Sequence, residues 1–381
     1  MNILLINHYA GSPNMGMEFR PYYMAREWKK LGHNVTIVCA SFAHVRSTQF
    51  KVKKLLTVQK IEDIDYVVVK APAYFRNGIK RILNMLFFTF GVWRKSAYFV
   101  NAFKPDVVIA SSTYPLDNYP ANRICKLAGA KLVYEVHDLW PLSPIELGGF
   151  SRNNPFIYMM QRAENFAYKH CNCVVSMLPV AFEHMKEHGL APEKFYHVPN
   201  GIVIDEWNVD QPVPEEFDRL FAKQKTKGHT LIGYAGSHGT ANALDSIIEA
   251  MKMLKDTPVS LFLIGDGPLK NELFRKVENE MIENVFFLPA VKKTLIPSIL
   301  DKMDVLYIGL QNQSLFRFGI SPNKLFDYMM AAKPVIQAIK AGNDIVSESG
   351  CGISINPENP NEIVEAVLMI TGISEEKMTL I

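Results

Sequence analysis

The 381-residue sequence has no apolar run long enough to cross a membrane. Its longest run, residues 82–93, contains Asn84 and Thr89 and falls short of the ~18 residues that a spanning helix needs. A secretory signal is also missing, because residues 1–7 are typical of a short strand and no basic segment precedes them. These absences predict a cytoplasmic protein without a transmembrane anchor.

Cysteine is scarce, and the five cysteines do not suggest disulfides. They are odd in number and scattered along the chain, which favours reduced thiols and again the cytoplasm. His170, Cys171 and Cys173 stand close together, but no second group of ligands completes a tetrahedral metal site. We therefore predict no metal site there and no metal cofactor.

Nucleic-acid recognition motifs, short repeats and low-complexity tracts are absent, although one half of the chain is basic. Residues 1–204 carry 24 Lys and Arg against 14 Asp and Glu, a formal charge of +10, whereas residues 205–381 hold 17 and 24, a charge of −7. This asymmetry predicts that the first half faces an anionic partner. A membrane surface or a phosphorylated acceptor fits, and nucleic acid lacks a motif to support it.

The sequence does contain short runs rich in Val and Ile that alternate with longer helical patterns. Most runs are continuously apolar, as strands buried on both faces of a parallel sheet are. The predicted strands are residues 2–6, 34–39, 65–69, 106–110, 131–136, 173–176 and 195–198, then 230–234, 259–264, 285–288, 305–308, 334–337 and a weak one near Gly352. The pattern predicts two α/β domains with parallel sheets, residues 1–204 and 205–381, with the boundary near Pro199-Asn200-Gly201.

Ligands of open parallel sheets bind beyond the carboxyl ends of the strands, so the loops there are candidate sites. The first strand leads into a loop with Gly11 and Gly16 before a helix, which predicts an acceptor or phosphate contact, or else an ordinary βα loop. The strand 131–136 ends at His137 and Asp138. A histidine there can bond a substrate hydroxyl or donate to a leaving group. The alternative is a structural histidine beside an N-cap aspartate.

Two glycine-containing loops follow strands of the second half. Gly236-Ser237-His238-Gly239 precedes a helix, and its amides and small side chains could hold a pyrophosphate. Gly265-Asp266-Gly267-Pro268 follows the next strand and combines turn residues with a proline suited to the start of a helix. Each could be a turn that only needs glycine, but their shared place at strand ends predicts that both line one site.

Residues 316–334 form the densest candidate segment. A loop of Gly319, Ile320, Ser321 and Pro322 is followed by a predicted helix. That helix carries Lys324 and Asp327 three residues apart on one face. A cation for phosphates beside a carboxylate for ribose hydroxyls would bind a nucleotide sugar. The alternative is an exposed ion pair that contributes a few tenths of a kcal/mol.

Residues 74–99 place basic ends around an apolar, aromatic centre. The basic residues are Arg76, Lys80, Arg81, Arg94 and Lys95. This pattern predicts an interfacial helix that contacts anionic lipid and its lipid-linked acceptor. The alternative is a buried core helix with charged ends.

Taken in order, these segments resemble glycosyltransferase family four, whose members have the GT-B fold of two Rossmann-like domains. The resemblance covers nearly the whole chain and rests on the early Gly-rich loop, His137-Asp138, Val198-Pro199-Asn200-Gly201, Gly265-Asp266-Gly267-Pro268 and residues 321–329. Residues 321–329 are especially similar to bacterial transferases that build surface polysaccharides, including the amino-sugar transferases of O-antigen assembly. Each motif is weak alone, whereas their order and spacing together are specific.

The resemblance implies that the second domain binds the donor nucleotide. Asp327 matches the second acid of the family's Glu-x7-Glu motif and would hold the ribose, with Leu325 beside it. The first acid is replaced by Gly319, so backbone groups of residues 319–321 would contact the donor sugar instead. Ser237-His238-Gly239 replaces the family's usual Arg and Lys for the pyrophosphate, which leaves Lys324 as the main phosphate cation. His238, as a second cation, and the backbone amides of residues 236–239 are the other candidate donors to the diphosphate. The nucleobase would lie against Ala290 and Val291.

By the same resemblance, the chain would be a retaining, metal-independent transferase with His137, Asp138 and Lys324 as candidate catalytic residues. Its donor would be a UDP-sugar, with an N-acetylated hexosamine or deoxyhexosamine as the sugar. The acceptor would be a polyprenyl-diphosphate-linked saccharide at the inner face of the plasma membrane. The alternatives are a GT-B epimerase or phosphorylase and a non-catalytic sugar-nucleotide-binding subunit. Family members usually end in a helix that returns to the first domain, and we expect that helix to be missing after Ile370.

Overall fold

The computed structural model describes residues 1–16, 18–75, 78–207 and 211–372. The chain divides into two compact units, the first from Met1 to Pro199 and the second from Asn200 onward. This division falls a few residues before the boundary that we placed after residue 204. Asn200 belongs with the second unit because its backbone N–H donates to Ser321 Oγ at 2.8 Å and its side-chain amide donates to the Ser321 carbonyl at 2.7 Å.

The first unit contains an eight-stranded sheet. Its strands are β1 (Asn2–Ile6), β2 (Asn34–Ala40), β3 (Leu56–Ile61), β4 (Ile64–Val69), β5 (Val107–Ala110), β6 (Lys131–Val136), β7 (Cys173–Ser176) and β8 (Phe195–His197). They stand in the order β3-β4-β2-β1-β5-β6-β7-β8. Every pairing is parallel except that of β3 with β4.

Strand β3 is missing from the sequence prediction, and it makes this sheet mixed rather than wholly parallel. It lies at the sheet edge, and none of its six residues is buried. Its sequence alternates apolar with polar residues, so a search for continuous apolar runs passes over it. The turn to β4 contains Glu62, whose φ of 51° lies in the left-handed region.

The second unit contains a six-stranded, wholly parallel sheet. Its strands are β9 (Thr230–Ala235), β10 (Val259–Ile264), β11 (Val285–Leu288), β12 (Val305–Gly309), β13 (Val335–Ala338) and β14 (Gly352–Ile355). The order β11-β10-β9-β12-β13-β14 reverses direction between β9 and β12. Loops that follow the strands at such a reversal border the crevice where open α/β sheets bind ligands.

The helices cover the sheets and bury their apolar faces. They are α1 (Arg20–Lys30), α2 (Ile79–Arg94), α3 (Ser96–Phe103), α4 (Asn118–Ala128), α5 (Leu142–Glu146), α6 (Pro155–His170), α7 (Phe182–Glu187), α8 (Glu215–Thr226), α9 (Leu244–Met253), α10 (Lys270–Asn279), α11 (Ile296–Asp301), α12 (Asn323–Met330), α13 (Ile345–Ser349) and α14 (Pro360–Thr371). The second sheet has a buried apolar cluster on each face. In the described ranges, no helix combines the length and apolarity needed to cross a membrane.

Candidate functional site

Lys324 is the centre of the candidate site in the second unit. It lies in the first turn of α12, and its Nζ donates to Asn242 Oδ1 at 2.6 Å and to Tyr234 Oη at 2.9 Å. Within the part of the chain that the structure describes, no ion pair joins this ammonium to a carboxylate at 4.0 Å or less. Burial lowers the pKa of Lys324 to about 7. A partly buried lysine with only neutral partners favours an incoming anion, because an anion would restore its charged form.

Three glycines let the loops after β9 and β10 pack backbone against backbone. A Cβ on Gly265, whose φ is +149°, would lie 1.9 Å from the Gly236 carbonyl oxygen. A Cβ on Gly267 would lie 2.6 Å from the backbone carbonyl of His238, and one on Gly236 would lie 3.2 Å from Lys324 Nζ. The predicted glycines therefore bring the two loops together beside Lys324.

Two of the four backbone N–H groups predicted to hold a pyrophosphate, in the loop after β9, already donate to acceptors within the protein. The N–H groups of Gly236 and His238 each donate at 2.9 Å to a carbonyl at the end of β10 or in the loop that follows it. For the N–H groups of Ser237 and Gly239, the described residues offer no acceptor. These two amides, rather than the whole loop, remain for a phosphate group.

The side chain of His238 is fully buried, so its predicted role as a phosphate cation is wrong. Its ring centroid lies 5.9 Å from that of Phe287 and 6.1 Å from that of Tyr234. Burial, with the charges of Lys270 and Lys324, lowers the pKa of His238 to about 4. Neither ring nitrogen has a hydrogen-bond partner among the described residues. His238 is therefore a neutral, buried ring that packs between the loops after β9 and β10.

The loop before α12 is held by its own hydrogen bonds. The Gly319 N–H donates to the Phe316 carbonyl at 2.9 Å. The Ile320 N–H donates to Asn343 Oδ1 at 2.8 Å, and its carbonyl accepts from Asn343 Nδ2 at 3.1 Å. Of the backbone N–H groups predicted to contact the donor sugar, only that of Ser321 has no acceptor among the described residues. It is therefore the one that remains available to the sugar.

The remaining predicted residues of α12 have separate surroundings. Pro322 is the N-cap of the helix, and Leu325 is fully buried in the core, so any nucleotide contact of Leu325 cannot involve its side chain. Burial raises the pKa of Asp327 to about 6, while the charge of Lys293 and a hydrogen bond with Trp207 act in the opposite direction. Lys324 bonds to other partners and forms no ion pair with Asp327 in the described structure, which rules out the alternative of an exposed pair.

Ala290 and Val291, predicted to face the nucleobase, follow β11. Ala290 is exposed, and Val291 packs partly against an apolar cluster of the second unit. A cavity of about 670 Å³ elsewhere in this unit lies beside Trp207, Pro297 and Met330 and includes none of the predicted nucleotide-binding residues. The predicted nucleotide-binding residues therefore do not line this cavity.

In the first unit, His137 follows β6 directly and lies within a network of charged groups. Its Nε2 is 3.3 Å from Glu135 Oε2 and 3.0 Å from Ser111 Oγ, and its Nδ1 is 3.7 Å from Glu18 Oε2. Burial alone would lower the pKa of His137, but the hydrogen bond and charge of Glu135, with the charge of Glu18, raise it above its ordinary value. The imidazole therefore favours its charged form, in which both ring nitrogens donate.

Glu135 anchors this network and is not among the residues predicted for the site. The carboxylate is buried, and its Oε1 accepts from Arg20 Nε at 2.9 Å. Burial would raise the pKa of Glu135, but the hydrogen bond with His137 and the charge of Arg20 hold it well below its usual range. Arg20 also donates to the carbonyls of Val198 and Pro199, at 3.0 and 2.8 Å. The only sequence feature that could have identified Glu135 is that it is a single carboxylate inside a strand predicted to be buried.

Asp138 and the early glycine loop differ from their predicted surroundings. Asp138 is exposed, and it does not cap a helix, since the N-cap of α5 is Pro141. Gly16 has a φ of 90°, and a Cβ there would lie 3.1 Å from a backbone nitrogen of the facing loop. The Gly11 N–H donates to the Glu18 carbonyl at 3.1 Å. Gly11 and Gly16 thus shape the loop that carries Glu18. Contacts within the protein are enough to explain why glycine stands at both positions.

Arg81 points toward the interior of the first unit. Its Nη2 lies 3.3 Å from Tyr9 Oη, and its guanidinium lies 5.9 Å from the ring centroids of both Tyr9 and Trp140. Of the other basic residues predicted around this helix, Lys80 and Arg94 are exposed near its two ends and Lys95 is partly buried. Arg76 lies outside the described residues.

Helix α2 has two apolar faces. The buried face contains Asn84, Met85, Phe88, Gly91 and Val92, and Asn84 Nδ2 donates to the Pro72 carbonyl at 2.7 Å. The opposite face carries five exposed residues that we call the apolar stripe: Ile79, Leu83, Phe87, Phe90 and Trp93. Phe87 and Phe90 are 58% and 60% exposed, which is more than a core helix would leave in water. The alternative of a wholly buried core helix is therefore wrong.

Both halves of the chain match models of glycosyltransferases. Residues 15–206 match the model described as Glycosyltransferase Family 4. Residues 229–371 match the model described as Glycosyl transferases group 1. The two matches together cover both units and most of the described chain.

Curated proteins and solved structures agree with these matches. The chain is 24% identical over 265 residues to the "Probable glycosyltransferase WbjE" of Pseudomonas aeruginosa, over 66% of this chain and 63% of that protein's length. It is 21% identical over 323 residues to the "Putative colanic acid biosynthesis glycosyl transferase WcaI" of Escherichia coli (strain K12), over 81% and 77% of the two chains. The crystal structure of Anabaena HepE with UDP and glucose superposes with a TM-score of 0.63 at 16% identity, over 99% of this chain and 91% of that one. The GT-B fold is thus confirmed.

Proposed function

Because the chain belongs to glycosyltransferase family 4, we propose that it moves a sugar from a UDP-sugar to a lipid-linked saccharide of a bacterial surface polysaccharide. The observation that carries the donor half is Lys324, a partly buried ammonium without an acidic partner in the described structure, beside two free amides. The UDP bound to HepE and the colanic acid pathway in the name of WcaI support this assignment. We further propose an N-acetylated hexosamine or deoxyhexosamine as the sugar.

The proposed reaction retains the anomeric configuration and requires no metal. The bond between the anomeric carbon and the diphosphate oxygen breaks as the acceptor oxygen bonds to the same face of that carbon. The proton of the acceptor hydroxyl passes to the departing phosphate oxygen. Negative charge grows on the diphosphate, where a cation and N–H donors have their largest effect. Lys324 would supply this cation, and the amides of Ser237 and Gly239 would supply the N–H donors. Asp327 would accept hydrogen bonds from the ribose hydroxyls.

His137 would contact the donor sugar or the reacting hydroxyl from the first domain. Glu135 and Glu18 raise the pKa of its imidazole, which favours donation of a hydrogen bond to an oxygen over removal of a proton. We therefore assign it to binding and charge stabilisation. Asp138 is exposed beside it and is the second candidate for a hydroxyl contact.

The acceptor half of the proposal rests on α2 and its surroundings. The apolar stripe can enter the boundary between lipid headgroups and acyl chains, while Lys80 and Arg94 contact anionic headgroups. Arg81, held between Tyr9 and Trp140, lies near the start of this helix and would bind the acceptor diphosphate. This arrangement supports a peripheral enzyme at the cytoplasmic face of the membrane.

Vesicle binding tests the membrane contact. We expect the protein to sediment with vesicles that contain anionic lipid at low salt. The double substitution Phe87→Ser and Phe90→Ser should weaken this binding at least tenfold, because the transfer of a phenyl ring out of water contributes roughly 1.5–3 kcal/mol. Met281→Ser is the matched control, since Met281 is an exposed apolar residue of the second unit. Failure of the unsubstituted protein to bind, or equal binding by the double variant, would refute the contact.

Donor selectivity tests the proposal as a whole. Calorimetric titration with UDP, GDP and dTDP, with and without magnesium, should give selective UDP binding that does not need the metal. UDP-sugars are then screened for transfer to a polyprenyl-diphosphate-linked acceptor, and the anomeric configuration of the product is determined by NMR. Selective binding of GDP or dTDP would overturn the donor class, and an inverted product would overturn the retaining mechanism.

One observation favours a second candidate, a non-catalytic sugar-nucleotide-binding subunit. Gly319 stands where the family has an acid, and its N–H and that of Ile320 already donate within the protein. Donor-sugar contacts are therefore fewer than the family pattern provides. UDP-sugar binding without transfer or hydrolysis, with every acceptor class tried, would favour this candidate over the enzyme.

A further inference from the structure

A cluster of one carboxylate and two imidazoles lies in the first unit, among helices that the proposed reaction does not use. Glu164 is on α6, His184 is on α7, and His188 is the C-cap of α7. One ligand atom from each of the three lies within 4.8 Å of the others. The spacing of the two histidines, four residues apart, places them on the same side of the helix end.

The distances in this cluster suit a small divalent cation. His184 Nε2 lies 3.2 Å from Glu164 Oε1. Zinc binds imidazole nitrogen and carboxylate oxygen at about 2.0–2.2 Å, so two ligand atoms of a tetrahedral site lie about 3.4 Å apart. The pair is close to this separation, and a ligand atom of His188 lies within 4.8 Å of both partners.

The carboxylate is supported by neighbouring side chains. Only 1% of the Glu164 side chain is exposed. The Tyr168 hydroxyl donates to Oε1 at 3.0 Å, and Gln161 Nε2 donates to Oε2 at 2.6 Å. Supporting hydrogen bonds of this kind orient the ligands of metal sites and raise their affinity.

His188 is held with one ring nitrogen available. Its Nδ1 lies 2.9 Å from the carbonyl oxygen of His184, so Nδ1 carries the proton that is donated. The lone pair of a neutral imidazole is then on Nε2. An imidazole whose Nδ1–H bonds to a backbone carbonyl is a common arrangement for a metal ligand.

We propose that Glu164, His184 and His188 form a zinc site with a fourth position open to water. Two histidines and one carboxylate are a known zinc ligand set. The ion would join α6 to α7 and so stabilise this part of the first unit. It would take no part in sugar transfer, and the site stands whether or not the proposed donor chemistry is correct.

Zinc titration of the untagged, EDTA-stripped protein is the first test. We expect one equivalent of Zn²⁺ to bind and the melting temperature to rise by ~5 °C at a free zinc concentration near 100 times the Kd. His188→Gln and the pair His184→Asn with His188→Asn should lower the affinity at least tenfold. His170→Asn is the matched control, because His170 is an exposed histidine at the end of α6. It should bind zinc like the unsubstituted protein.

Two further measurements do not depend on how well the variants fold. Co²⁺ in place of Zn²⁺ should give the visible absorption of a four-coordinate ion. Diethyl pyrocarbonate should modify His188 in the apo protein, and one equivalent of zinc should protect it while His170 remains reactive. The site is overturned if the unsubstituted protein binds no zinc, if the double variant binds it unchanged, or if zinc fails to protect His188.

Discussion

The protonation of Lys324 makes nucleotide binding dependent on pH. Burial lowers its pKa to about 7, whereas a lysine in water titrates near 10.4. About half of the ligand-free molecules are therefore protonated at Lys324 near pH 7. A bound diphosphate raises this pKa again, because a neighbouring negative charge favours the ammonium. Above pH 7, binding is consequently coupled to the uptake of a proton, and affinity falls as the pH rises.

The size of the effect follows from the pKa of the free site. The protonated fraction falls from about 75% near pH 6.5 to about 3% near pH 8.5, so the affinity for UDP should fall about 25-fold. The ligand adds little in this range, because a terminal phosphate has a second pKa of about 6. His238 adds nothing, because its pKa of about 4 leaves it neutral throughout.

Calorimetry at a series of pH values, in buffers of different ionisation enthalpy, measures both the affinity and the proton uptake. Lys324→Met should bind at least tenfold more weakly near pH 6.5 and lose the pH dependence, whereas Lys324→Arg should keep a charge and give a flat profile. Lys340→Met, at an exposed lysine, removes the same charge elsewhere and should retain the slope. If Lys324→Met keeps the slope, or if the unsubstituted protein takes up no proton, the assignment of Lys324 is wrong.

Two further substitutions test the supporting structure. Gly265→Ala should destabilise the protein by about 2–4 kcal/mol and lower its melting temperature, because of the backbone contact and the positive φ. Gly201→Ala, with no atom within 4 Å of the added carbon, is the control, and equal melting temperatures would contradict the packing. Glu135→Gln should lower the pKa of His137, read from its NMR titration, because the main charge that raises it is removed. An unchanged titration would contradict the network.

The strands that carry the site could be predicted because they are buried on both faces. Strands such as β9 and β10 are buried at nearly every position, so their apolar runs mark both the strand and the place where its loop begins. The glycines after β9 and β10 and the lysine of α12 were found in this way. The edge strand β3 was missed because burial, the source of the signal, is absent there.

The sequence could not show which groups in each loop remain free. Gly236 and Ser237 are neighbours, but of their two N–H groups only that of Gly236 meets an acceptor, the Ile264 carbonyl at the end of β10. His238 was a candidate phosphate cation, and its burial depends on the path of the loop after β10. The raised pKa of His137 depends likewise on Glu18, which comes from a loop more than a hundred residues away. Such properties depend on three-dimensional packing between distant segments.

The contact between Gly265 and Gly236 has a consequence for redesign of the donor site. Since no side-chain carbon fits between them, the loops after β9 and β10 constrain each other's composition. If one of these loops alone were replaced by that of another transferase, it would clash with the backbone of the unchanged loop. No side chain could rearrange there to relieve the clash. The two loops therefore form one structural unit. A variant designed to change the donor preference should exchange residues 236–242 and 265–270 together.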